Sequence, residues 1–144
     1  MYHSVNVVSA KKGNKGSLSF PLSGESVSAG FPSPAEDYLE NSINLNEYLI
    51  NHPYSTFFLR VSGDSMSNAN INHGDLLIVD RSINPKPNNI VIALLDGDFI
   101  LKRLIKKDNE LYLKAENYNY SAIPLSSYNE VQIWGVAIYV IHKL

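Results

Sequence analysis

The stretch "RVSGDSMSNANINHGDLLIVD", residues 60–80, decides how this chain is organised. It leaves an apolar strand that begins upstream in "STFFLRVSG", bends at Gly63, crosses a polar turn and re-enters a strand at "DLLIVD". A glycine directly after a strand permits a sharp bend. The residues that follow suit one helical turn, whose first backbone N–H groups have no intrahelical partner. Ser65 therefore sits at a corner beside donors able to stabilise an oxyanion. On these residues alone it is either a turn serine, the common case, or a nucleophile that needs a base.

Working outward, strands follow one another closely. "DLLIVD", "NIVIALLD", "FILKRLIKK", "ELYLKAEN" and "EVQIWGVAIYVIHKL" alternate with the turn signals "NHGD", "NPKPNN", "LDGDF" and "KKDNE". The last of these runs is long enough for one strand or two. Asp96-Gly97 is a two-residue hairpin signal of the type that needs left-handed backbone at both positions. Short strands without long intervening helices predict a mainly β domain, a curled antiparallel sheet or partly open barrel, rather than a parallel βαβ sheet.

Upstream, "SPAEDYLENSINLNEYLINHP" predicts two short helices. One starts at Ser33 as N-cap, with Pro34 at the first helical position and Glu36 three residues after the cap; the other is capped by Asn44 and stopped by Pro53. Residues 1–33 are rich in Gly, Pro and Ser without sustained periodicity, and predict a flexible arm with no core of its own. "AGFPSP", residues 29–34, predicts an extended and accessible segment.

Composition excludes several classes. A chain of 144 residues fits one domain with one core. It has no apolar run of the roughly 18 residues that a membrane span needs and no secretory leader, so a cytoplasmic protein is expected. With no cysteine there is neither a disulfide nor a thiolate nucleophile. The first 29 residues carry three lysines against one glutamate, a net +2, while the remainder has nine basic and thirteen acidic side chains, a net −4. An acidic body with a small basic arm is expected to bind little DNA directly. The histidines His3, His52, His73 and His142 show no metal spacing, so neither metal nor cofactor is expected.

Two bases compete for Ser65. His73, two residues before Asp75, suggests a Ser65–His73–Asp75 triad, although residues 73 and 75 lie in the turn entering a strand, where proximity in sequence says little about triad geometry. Lys102 in "DFILKRLIKKD" shares a strand face with Ile100 and Leu104. If that face is buried, the charged form of Lys102 is disfavoured and a neutral amine becomes available to take a proton. If the strand faces the other way, Lys102 reaches solvent and Arg103 points inward.

These words together resemble a known family. "SGDSM", "GDLLIVD" and "GDFILKRL", with Lys102 37 residues beyond Ser65, look like the self-cleaving serine-lysine peptidase domain shared by LexA, the phage repressors and UmuD. The likeness extends upstream through "AGFPSPAEDYLENSINLNEYLINHP" and downstream through "VQIWGVAIYVIHKL", covering nearly residues 25–144. It implies Ser65 as nucleophile, Lys102 as general base, the backbone N–H groups of Asp64 and Ser65 as oxyanion hole, and Ala29–Gly30 as the bond cut in the chain's own arm. It also implies a division into an arm, residues 1–29, removed by self-cleavage, and a peptidase-like β domain, residues 30–144. Many relatives carry threonine two residues before the lysine; here that position is Ile100.

Only 29 residues precede Gly30, and no helix-turn-helix fits there, which points toward the UmuD branch rather than a repressor. That branch implies an SOS-response protein whose cleavage is stimulated by a RecA nucleoprotein filament. It further implies that the shortened form, a homodimer, joins a UmuC-type subunit as part of an error-prone translesion polymerase. Two alternatives stay open: a signal-peptidase-like enzyme acting on other chains, and a binding module in which Ser65 and Lys102 are silent.

Overall fold

The computed structural model describes residues 6–8, 18–24, 26–31 and 39–144. Its described residues fall into two compact units, one made of Asn6–Val8 with residues 52–144, the other lying between residues 18 and 51.

In the smaller unit, β2 (Phe20–Ser23) pairs antiparallel with β3 (Leu39–Ile43), and α1 (Leu45–Leu49) follows. α1 is the capped helix the sequence announces: Asn44 Oδ1 accepts the backbone N–H groups of Asn46 and Glu47 at 3.0 and 3.4 Å. The other predicted helix is corrected. Its proposed start, Ser33 to Glu36, lies outside the described residues, but Leu39–Ile43 is a strand. Asn41 and Ser42 are weak helix formers because their side chains compete for backbone hydrogen bonds, and pairing with β2 decides the conformation. Ala29 and Gly30 are exposed, as expected of an accessible segment, and the chain bends there, with the Gly30 N–H donating to Ser28 Oγ at 3.3 Å.

The larger unit holds eight antiparallel strands: β1 (Asn6–Val8), β4 (Thr56–Arg60), β5 (Leu76–Asp80), β6 (Ile90–Leu95), β7 (Asp98–Lys107), β8 (Glu110–Lys114), β9 (Ile123–Pro124) and β10 (Val131–Ile141), in the order β1-β4-β5-β10-β6-β7-β8-β9. The sheet is not closed into a barrel. β10 lies at its centre, paired with β6 through Val131–Val136 and with β5 through Val136–Ile141. The tail "EVQIWGVAIYVIHKL" is thus one strand serving two neighbours, with an irregularity between Ile133 and Gly135 and another between Ala137 and Tyr139.

Turn chemistry sets the register of the hairpins. Asp96 and Gly97 have φ of +46° and +91° between the paired residues Leu95 and Asp98, as the sequence predicts. Asp108 and Asn109, at +52° and +62°, make the equivalent turn between Lys107 and Glu110.

Both faces of β6 and β7 are covered. Ile92 and Leu101 join a cluster with Leu59, Met66 and Leu77, while Val91, Ala93, Ile100 and Leu104 form a second with Leu113. Double burial explains why "IVIALL" reads as an uninterrupted apolar run rather than an alternating one.

Candidate active site

Ser65 stands where β4 has ended and the chain turns back toward β5. Gly63 has φ +89°, a value costly for any residue with a Cβ, and its N–H donates to His73 Nδ1 at 3.1 Å. The Ser67 N–H donates to the Asp64 carbonyl at 3.1 Å, which closes the turn around Ser65. A short 3-10 helix, Ser67–Ala69, follows and ends at Asn70 in left-handed conformation, φ +60°. Met66 is wholly buried and anchors the turn in the core. Ser65 itself is 5% exposed.

Lys102 comes from β7, opposite Val91, with Ile100 and Leu104 on the same face. All three neighbours are buried, and Lys102 is only 7% exposed. Burial holds its ammonium below the ordinary lysine range, because a low-dielectric surrounding disfavours charge. The apolar-face reading is therefore the one the fold adopts. Arg103 points elsewhere, its Nε donating to Glu116 Oε1 at 2.5 Å and its Nη1 to the Asn88 carbonyl at 2.6 Å.

Among the described residues no hydrogen bond joins Ser65 to Lys102. They are connected through Tyr120. Its ring centroid lies 5.2 Å from Lys102 Nζ, and its hydroxyl donates to Asp64 Oδ1 at 3.3 Å, one residue before Ser65. Burial and the Asp64 carboxylate push the Tyr120 phenol above its usual value, so it remains a donor across neutral pH.

The histidine alternative is not assembled. His73 Nδ1 accepts from Gly63, while Asp75 is held by His142, Nδ1 to Oδ1 at 2.6 Å, and by the Asn72 N–H at 2.8 Å. His52 is likewise committed, to Asp80 at 2.6 Å. Among the described residues no group of three or more His, Cys, Asp or Glu is arranged to hold a metal. No helix among them is long and apolar enough to cross a membrane.

Several contributors were not legible in the sequence. Asn117 Nδ2 donates to the Asp64 carbonyl at 2.9 Å and lies 3.4 Å from Ser67 Oγ, and the Asn68 N–H donates to the Glu116 carbonyl at 2.7 Å. Asn117 and Asp64 are 53 residues apart. The segment from Glu116 to Tyr120 reads in sequence as an ordinary polar loop, and only the fold lays it against the Ser65 turn.

A mainly β domain that places a serine on a tight turn and a desolvated lysine on β7, linked through Tyr120, is an arrangement that serine peptidase chemistry can use. The chain matches the Peptidase S24-like family over residues 21–138 and belongs to it. It is 44% identical to Protein ImpA of Salmonella typhimurium over 124 residues, 85% of this chain and 83% of that protein. It is 42% identical to Protein MucA of Escherichia coli over 127 residues, 88% of this chain and 84% of that one. The LexA repressor of Shewanella oneidensis is 40% identical over 124 residues, 85% of this chain but 59% of the repressor. The likeness to UmuD read from the sequence thus holds over most of the chain.

Proposed function

We propose that this S24 peptidase removes its own N-terminal arm by cutting between Ala29 and Gly30, and that the shortened form acts in SOS mutagenesis. The observation that carries the reading is Lys102, a lysine held nearly out of solvent on an apolar strand face, with no carboxylate paired to it among the described residues. Desolvating an ammonium is costly. A fold that retains one on a strand linked through Tyr120 to the turn that carries a serine gains an amine that gives up its proton more readily than an ordinary lysine and can act as a base.

Lys102 Nζ takes the Ser65 hydroxyl proton as Oγ attacks the Ala29 carbonyl carbon. The tetrahedral oxyanion is met by the backbone N–H groups of Asp64 and Ser65. Collapse breaks the Ala29–Gly30 bond, and Lys102 returns its proton to the departing Gly30 amine. Water then hydrolyses the Ser65 ester, releasing residues 1–29 and restoring the hydroxyl. The bond lies in an exposed stretch, and nothing lies within 4 Å of where a Gly30 Cβ would stand. Substrate and enzyme share one chain, so their encounter is intramolecular and needs little intrinsic affinity.

By likeness to UmuD, a RecA filament on single-stranded DNA stimulates the cut, and the product pairs as a homodimer with a UmuC-type polymerase subunit in the cytoplasm. The test is to incubate the chain with RecA, an ATP analogue and single-stranded DNA and to weigh the products. Loss of residues 1–29 in the wild type but not in Ser65→Ala supports the proposal. An unchanged mass with retained binding to the polymerase subunit identifies a silent binding module instead.

A further inference from the structure

The loop Glu116–Tyr120 touches both sides of the site at once. Asn117 holds the Asp64 carbonyl, Tyr120 holds the Asp64 carboxylate, and the Tyr120 ring faces the Lys102 ammonium. The loop is itself fastened at its start. Glu116 accepts from Arg103, the residue after Lys102, while its carbonyl accepts from Asn68 and its N–H approaches Met66 Sδ at 3.4 Å, the residue after Ser65. One short segment is therefore tied to the neighbours of each reacting residue.

We propose that Tyr120 is a positioning residue for self-cleavage, its hydroxyl fixing the Ser65 turn through Asp64 while its ring fixes the direction and charge balance of Lys102. This assignment rests on the Ser65–Lys102 reading above. The two halves of the side chain act separately. The ring presents its negative face to a cation and so favours the ammonium, against the burial that disfavours it. The hydroxyl has no direct part in that balance. The charged groups on the elements that carry these contacts are Asp64, which accepts from Tyr120, Glu116, which accepts from Arg103, Arg103 itself, next to Lys102 on β7, and Lys114, opposite Arg103 on β8. Glu116 is taken up by Arg103.

The experiment measures self-cleavage of the full chain from neutral to alkaline pH, with thermal unfolding of each variant in parallel. Tyr120→Phe is expected to slow cleavage about fivefold, the size of one lost hydrogen bond, with the midpoint of the pH profile unmoved. Tyr120→Leu is expected to slow it further and to move the midpoint about half a pH unit lower, since the ring no longer favours the charged lysine. Asn117→Ala should resemble Tyr120→Phe. A Tyr120→Leu midpoint equal to wild type overturns the assignment, whatever the rate, because a merely structural loss changes rate or melting but not the midpoint. If Tyr120→Leu fails to fold, a wild-type rate in both Tyr120→Phe and Asn117→Ala overturns it, and slowing in both with unchanged melting supports it. Cleavage by Ser65→Ala is the distinct result that removes the serine-lysine reading and this assignment together.

Discussion

His142 Nδ1 lies 2.6 Å from Asp75 Oδ1, tying the segment after β10 to the turn that leads into β5. Asp75 is nearly buried and His142 is half-exposed, so the carboxylate depends on this contact and on the Asn72 N–H for its polar partners. His142→Ala leaves one oxygen of a buried carboxylate without its partner, and is expected to cost about 1–2 kcal/mol. The turn it steadies also receives the Gly63 N–H through His73, so self-cleavage should slow as well. Denaturant unfolding of the variant checks the first effect, and product mass against time the second.

Acid should weaken the fold through two aspartates. Burial alone would raise the Asp80 pKa, but hydrogen bonds from Ser82, His52 and Ser55 outweigh it and lower the carboxyl to about 2 from an ordinary 3.8. Asp75 is lowered in the same sense: His142 and the Asn72 N–H overcome the effect of burial. A depressed carboxylate contributes stability that is fully present above its unfolded value and is lost as pH falls through its folded one. Stability should therefore decline as pH drops from about 4 toward 2, with Asp80 accounting for about 2 kcal/mol of the loss. An Asp80→Asn protein, followed by circular dichroism across that range, should be less stable at neutral pH and show a shallower acid decline.

Lys102→Met should separate stability from activity. The folded lysine has a depressed pKa, so between that value and its ordinary 10.5 the unfolded chain binds more protons and the wild type gains stability as pH rises. Methionine avoids the desolvation cost and should stabilise the fold by about 1–2 kcal/mol at neutral pH, an advantage that shrinks toward alkaline pH. Cleavage should be abolished. Urea midpoints at two pH values and the product mass read both effects.

Gly135 on β10 leaves no room for a side chain. A Cβ there would lie 2.6 Å from Val79 Cγ1, a fully buried side chain, and 3.3 Å from Arg81 Cγ. Gly135→Ala forces β10 away from β5 and is expected to cost about 1–3 kcal/mol, measurable as a lower melting temperature.

The features legible in the sequence were those written in local chemistry. Asp96-Gly97, Asp108-Asn109 and the Asn44 cap announce their structures because a few adjacent residues determine them. Lys102 was legible by contrast, a charge between Ile100 and Leu104 on a strand face. β1 and β3 were not, since three residues at a sheet edge and the polar run "LENSI" become strands only when a partner supplies hydrogen bonds. Asn117, Tyr120 and the pairs His142–Asp75 and His52–Asp80 were hidden for the same reason: separations of 28 to 67 residues leave no local pattern.

The position of β10 has a consequence for timing. Ser65 belongs to the half of the sheet built from β1, β4 and β5, and Lys102 to the half built from β6 to β9, and in the strand order the two halves meet only across β10. That strand is the last in chain order among the described residues. Until β10 has been made, β5 and β6 lack the strand that pairs with both of them. On the proposed reading, self-cleavage therefore waits for the strand that completes the sheet.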